Sequence, residues 1–286
     1  MTEQEPRFST LRLVLREKTG AFGLIVVVGF FVTGIIVGVF PRLSGYDAFA
    51  ISASKELLPP STAFPFGTDN FGRGVFQAVL AATPTDALVT FSVVGFSLLF
   101  GGLFGALAGY MGGRVDELLM RVTDVFLSFP ALILAVGISD ALGPGAINAM
   151  AALMVVSWPT YARLARGDTL AIREQAYIKA AKLNGKGGGY VIRRHVVPNV
   201  LPSLIAYASI NTGFVIITFS VLGYLGLGAQ PPAVEWGNMV FLGQSYIRTA
   251  PWFPLIPGLV ILLVAVAFSL LGDSLRDALD PTLRTR

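Results

Sequence analysis

Six stretches of this chain, 20–40, 86–110, 118–138, 145–165, 200–223 and 254–272, are each about 20 residues long and largely apolar. No other feature constrains the fold as tightly. As a helix rising 1.5 Å per residue, a run of about 20 apolar residues matches a bilayer core roughly 30 Å thick. Inside lipid every backbone polar group needs an internal partner, so isolated runs of this kind fold as helices. The sequence therefore predicts an all-α polytopic membrane protein with six transmembrane helices. Composition agrees: 13% of the residues are charged, against about 25% in an ordinary soluble domain. The third and fifth runs are the least uniform, because Asp124 and Asn211 interrupt them.

Charge orders these spans across the membrane. The run 20–40 follows Arg7, Arg12, Arg16 and Lys18 and leads into "FPRLSG" with no small-residue cleavage pattern, so it reads as an uncleaved first span. Six crossings place 17 of the 21 Lys and Arg residues on one side, leaving Arg42, Lys55, Arg73 and Arg248 on the other. By the positive-inside rule the first side, with both termini, is cytoplasmic. The expected plan is then a cytoplasmic N-terminal segment 1–19, a first helix 20–40, an extracytoplasmic segment 41–85, a five-helix core 86–272 and a cytoplasmic tail 273–286. The pI near 9.5 follows from this topology rather than from nucleic-acid binding. The chain has no cysteine and one histidine, which excludes disulfides, thiolate chemistry and zinc sites of the Cys/His kind.

One cytoplasmic stretch, "EQAYIKAAKLNGKGGGYVIRRHVVPN" (174–199), gathers six Lys, Arg and His residues and a triple glycine. At about 100° per residue Ile172, Ala176, Ala180 and Leu183 share one face. This predicts a short amphipathic helix over 172–184 with a small-residue face, and Gly185 at the C′ position that stops it. Such a segment is either a basic loop obeying the positive-inside rule or a docking helix whose small face admits a partner at close range. The pattern alone leaves both open.

Resemblance decides between them. Lys179-Ala180-Ala181, Gly185 and "HVVPNVLP" occupy the positions of a cytoplasmic "EAA…G" loop. "FGTDNFGRG", "GYMGGRVDELLMRVTDVFLSFP", "SWPTYARLARG", "LGLGAQPP", "EWGNM", "TAPW" and "LLGDSLRDALDP" extend the match from about 66 to 281. The chain resembles the permease subunits of bacterial ABC importers, in the dipeptide/oligopeptide and nickel group, second permease type. The resemblance implies a type I importer permease fold in the bacterial cytoplasmic membrane. It implies as partners a second homologous permease in a heterodimer, two ABC ATPase subunits, an extracytoplasmic substrate-binding protein and membrane lipid. It also implies that Ala176, Lys179, Ala180, Ala181, Leu183 and Gly185 form an ATPase-coupling surface. No cofactor is bound by this chain; ATP and Mg are used by the partner subunits. The expected cargo is dipeptides or oligopeptides, with nickel chelates or glutathione as the alternative. The chain departs from the family at Lys179, where glutamate is usual, at Gly74, and in "ATPTDAL" (82–88).

Other chemistry is weaker. "NGKGGG" lacks the Ser or Thr after lysine and the earlier glycine that a phosphate loop needs. No Ser/His/Asp, HExxH or GxGD arrangement lies in the spans, which disfavours an intramembrane hydrolase. Arg121 and Asp124, three apart, are expected to pair on one helix face, as a structural or gating pair. His195, beside two arginines, reads as structural. Asp86, Asp140 and Glu235 are placed at the outer ends of spans, where water reaches them. The middles of the spans then carry no obvious charged relay apart from Asp124, which argues against a proton-coupled secondary transporter.

Overall fold

The computed structural model describes residues 8–279. Its helices, in chain order, are α1 (Phe8–Arg16), α2 (Lys18–Val39), α3 (Val75–Phe96), α4 (Gly102–Met111), α5 (Gly113–Leu127), α6 (Ala131–Leu142), α7 (Ala146–Arg173), α8 (Ala176–Leu183), α9 (Gly188–Val191), α10 (Val197–Tyr224), α11 (Trp236–Gly243) and α12 (Trp252–Leu279). Five-residue π segments join α3 to α4 (Ser97–Gly101) and α9 to α10 (Ile192–Val196).

By length and apolarity, four helical stretches among the described residues can cross a membrane: Lys18–Val39, Val75–Met111, Gly188–Tyr224 and Trp252–Ala278. A fifth arises if α5 and α6, bent by 83° at their junction, count as one broken span. The straight third span expected over 118–138 is thus two helices. Pro130 is the physical reason: it has no N–H to give and it restricts the residue before it, so the chain turns at Ser128-Phe129-Pro130. The fourth expected span lies in α7, whose 28 residues are long enough but which carries Arg163, Arg166 and Asp168 in its second half. Helical boundaries also differ at the ends of the expected plan. The N-terminal segment contains α1, the second span begins at Val75 rather than Asp86, and what was expected to be tail from 273 is the last turns of α12.

Close packing rests on small residues. Gly101, Gly105 and Gly109 repeat every fourth position and lay one edge of α4 on the backbone of α7 at Trp158, Ala162 and Arg166. A Cβ on Gly109 would lie 2.9 Å from the Arg166 carbonyl. Gly213 meets the Ala265 carbonyl in the same way, so α10 and α12 approach backbone to backbone. This is the small-xxx-small logic of helices in lipid, where dispersion at short range replaces the hydrophobic drive. Three clusters of buried side chains result. One joins α2, α3, α11 and α12 around Phe30, Trp236 and Phe268; a second joins α3, α6, α7 and α10 around Leu153 and Phe219. The third, around Tyr161, Ile178 and Val200, binds α4, α7 and α10 to α8. Helix α10 contributes to all three through Ile216, Phe219 and Val200.

The segment 41–74 folds back on the end of the bundle opposite α8. Asp69 organises it: its carboxylate accepts the backbone N–H of Phe71 (2.8 Å) and Arg73 (2.9 Å) and the Arg73 Nε at 2.7 Å. Arg73 also donates to the Ala48 carbonyl. Trp252 fastens this loop to the start of α12, donating its indole N–H to the Thr68 carbonyl at 3.2 Å. Gly67, at φ +71°, has the Trp252 ring 2.6 Å from where a Cβ would stand, so "FGTDNFGRG" needs glycine there for both conformation and room.

Candidate coupling site

Helix α8 is a separate, eight-residue helix rather than the continuous 172–184 expected from periodicity. Helix α7 ends at Arg173, and the Gln175 N–H turns back to the Ile172 carbonyl at 3.0 Å, so Ile172 belongs to the preceding helix. The periodic pattern runs through the break because one turn changes the helix axis without changing the apolar spacing. The other end is as expected. Gly185 adopts φ +73°, and the Lys186 N–H donates to the Ala181 carbonyl at 3.1 Å, closing a Schellman-type stop.

One side chain mounts this helix. Ile178 is completely buried, in contact with the cluster that holds Tyr161, Val191 and Val196, and Ala181 is half-buried beside it. The remaining proposed coupling residues, Ala176, Lys179, Ala180, Leu183 and Gly185, are exposed, and Leu183 reaches 89% exposure. Leu183 thus ends α8 as an exposed apolar side chain beside the Gly185 stop. Lys179 lies 3.2 Å from Glu174, with both side chains mostly in solvent. The lysine hydrogen bond keeps the Glu174 carboxyl below its ordinary value. The departure from the family pattern at Lys179 therefore has a partner within this chain. His195 packs against two tyrosines, tilted on Tyr177 and edgewise on Tyr190, at 5.8 and 5.9 Å between ring centroids, which is a structural role.

Behind the mount, α5 is clamped to α7. Arg166 donates to Asp116 with Nε and Nη2 at 2.6 and 2.7 Å, a fork that fixes orientation as well as distance. Arg163 donates to Asp124 at 2.7 Å in the open. This corrects the expected Arg121–Asp124 pair. Arg121 instead bonds Glu117, four residues back, at 3.1 Å, and Asp124 is drawn off the helix surface by Arg163. Arg173 donates to the Gly109 carbonyl, satisfying the end of α4. Sequence spacing could not find these long-range partners; the signal present was three arginines, Arg163, Arg166 and Arg173, at helical intervals on α7.

A second correction lies at the opposite end. Asp140 is exposed, as expected, but Asp86 and Glu235 are not reached by water: they are 1% and 0% exposed. Glu235 caps α11, accepting the N–H of Gly237 and Asn238 at 3.0 and 2.8 Å. The Trp236 N–H donates to Asp86 Oδ2 at 3.3 Å.

The described residues thus form a bundle of membrane-length helices with a short exposed helix, α8, mounted on its surface, the architecture of a polytopic membrane protein. The family described as binding-protein-dependent transport system inner membrane component matches residues 101–285. The chain is 44% identical over 241 residues to the probable D,D-dipeptide transport system permease protein DdpC of Escherichia coli (strain K12), covering 84% of this chain and 81% of that one. It is 37% identical over 285 residues to the dipeptide transport system permease protein DppC of Alkalihalophilus pseudofirmus, covering 99% and 92%. A chain of the MetNI methionine ABC transporter, in an inward facing conformation, shares the fold with a TM-score of 0.56 and 20% identity over 70% of this chain and 96% of its own. This protein belongs to the binding-protein-dependent transport permeases, multi-pass components of the inner membrane, in the group whose members serve peptides, nickel or glutathione. Such a permease is not itself catalytic and binds no cofactor.

Proposed function

We propose that this chain forms half of the translocation pathway of an ATP-driven importer for dipeptides or oligopeptides. In this reading the six spans include α7 and the broken α5–α6 pair, and both termini and α8 are cytoplasmic. A second, homologous permease completes the pathway as a heterodimer. Two ATPase subunits dock below the permease pair, one of them holding α8 in a groove, and an extracytoplasmic binding protein delivers cargo to the end carrying the 41–74 loop. The observation that carries the reading is α8 itself, pinned by Ile178 and presenting Leu183 outward. A helix seated by one buried side chain and bounded by a fixed stop transmits a push as a rigid body. Ion pairs from Arg163 and Arg166 carry that motion from α7 into α5. Rocking of such bodies is a general route to alternating access.

Peptide cargo is favoured by similarity to the two dipeptide permeases over most of their lengths. A nickel transport permease of Escherichia coli (strain K12) is 36% identical over 84% of this chain, which keeps nickel chelates as the second reading. The test is purification of the chain with its neighbours from native membranes, followed by mass spectrometry of what the copurified binding protein carries. Recovery with ATPase subunits and a peptide-loaded binding protein is expected. A nickel- or glutathione-loaded binding protein would redirect the cargo, and recovery without any ATPase would overturn the reading.

A further inference from the structure

The buried carboxyls of Asp86 and Glu235 belong to no part of the coupling machinery. They meet where α3 faces the N-terminus of α11, at the end of the bundle opposite α8. Two glycines make room for Glu235: a Cβ on Gly223 would collide with its Oε1, and one on Gly228 would lie 2.7 Å from that atom. Gly223 and Gly228 of "GYLGLG" thus admit a carboxyl group into the interior. Neither acid has a basic partner among the described residues.

The neighbouring elements supply no counter-charge. Helices α2 and α12 carry charge only at their far ends (Lys18; Asp273, Arg276 and Asp277), and α11 carries none. Helix α10 brings Tyr207 and Tyr224, the latter bonded to Gln244, and α7 brings Tyr161, bonded to Asn211, with its charges only beyond Ala162. Arg73, beside Tyr46, is committed to Asp69, and Arg248 is exposed. Two carboxyls brought into one interior by the Trp236 N–H bond to Asp86, desolvated and without a cation, resist being ionised together, because each disfavours the charge of the other.

We propose that Asp86 and Glu235 bind one proton between them, carried on Asp86, and that this proton latches α3 to the start of α11. The hydrogen bonds divide the pair this way. Glu235 accepts two backbone N–H groups at a helix N-terminus, both of which favour its ionised form. Asp86 accepts a single long bond on Oδ2, and its buried Oδ1 has no partner, so that oxygen is free to hold a proton. Burial pushes the Glu235 carboxyl up, to about 7, against the pull of those two amides. The ligand is a proton from the aqueous phase on that side. The sign follows from which form the fold prefers. At pH below the ordinary carboxylate range the pair is neutral in both folded and unfolded chains. As pH rises, the unfolded chain ionises freely while the folded pair resists, so the latch weakens with rising pH.

The test uses the full-length chain in lipid nanodiscs, because α3 and α11 are joined only within the whole bundle. Wild type, Asp86→Asn and Glu235→Gln are melted at pH 5.5, 7 and 8.5, and the wild type is examined by infrared spectroscopy at pH 7. An asparagine amide mimics the protonated acid: it is uncharged, its oxygen keeps the Trp236 N–H, and its NH2 stands where the protonated oxygen would be. Wild type is expected to lose stability as pH rises. Asp86→Asn should melt at least about 2 °C above wild type at pH 8.5 and lose most of the pH slope. The infrared spectrum should contain the carbonyl stretch of a neutral carboxylic acid, and Asp86→Asn should lack it. An asparagine variant less stable than wild type at every pH would overturn the proposal. So would a wild-type spectrum without a neutral carboxyl at pH 7, or stabilisation at that pH by added sodium or potassium that the variants lack, since the ligand would then be a metal cation.

Discussion

Leu183 and Lys179 lie on the same short helix and make opposite demands on a partner. Burying a leucine side chain is worth about 1.5–3 kcal/mol, so Leu183→Asp is expected to lower uptake by at least about tenfold in reconstituted complexes, with the chain still inserted and melting as wild type. Uptake and ATP hydrolysis measured side by side check this; normal uptake would remove Leu183 from the contact. Lys179 is already held by Glu174 and remains in solvent. Lys179→Glu replaces that attraction with repulsion, so it should reduce uptake by less than Leu183→Asp does, and the loss should shrink at high salt. At this scale much was legible from sequence. The stop at Gly185 and the exposure of Ala176, Ala180 and Leu183 follow from glycine's conformational freedom and from helical spacing. The burial of Asp86 did not, because depth in a bundle depends on neighbours far along the chain, here Trp236, whose backbone N–H bonds Asp86.

Among the elements, α5 depends on α7 for its position. The Asp116–Arg166 fork is partly buried, whereas Asp124–Arg163 is open to solvent. Removing one partner of a shielded charged hydrogen bond costs about 1–3 kcal/mol, and an exposed pair costs much less. Asp116→Ala should therefore lower the melting temperature clearly and Asp124→Ala hardly at all. Exchanging the two charges, Asp116→Arg with Arg166→Asp, should recover part of the loss, and failure of that rescue would show that the site needs aspartate for its shape. Length and apolarity revealed the spans in α2, α3–α4, α10 and α12. They hid the 83° turn between α5 and α6, since both halves are apolar enough to read as one run and only Pro130 marks the corner. The start of α3 at Val75 was hidden because Pro84 and Asp86, a helix breaker and a charge, interrupt the apolar pattern inside the helix.

For the molecule as a whole, the orientation across the membrane is the prediction with the most consequences. This natively cysteine-free chain takes single cysteines without ambiguity. Lys186→Cys, beside the stop of α8, should resist an impermeant maleimide added to intact cells, and Ala233→Cys, exposed in the α10–α11 turn, should react. The reverse pattern would invert the whole molecule, α8 included. The glycine seam between α4 and α7 has its own consequence for how such motion is observed. Where backbone lies on backbone there is no layer of side chains to shear, so the two helices form a single fixed body. Spin labels placed one on each should report the same separation before and after nucleotide is trapped, and that pair becomes the stationary ruler against which the displacement of every other helix is measured.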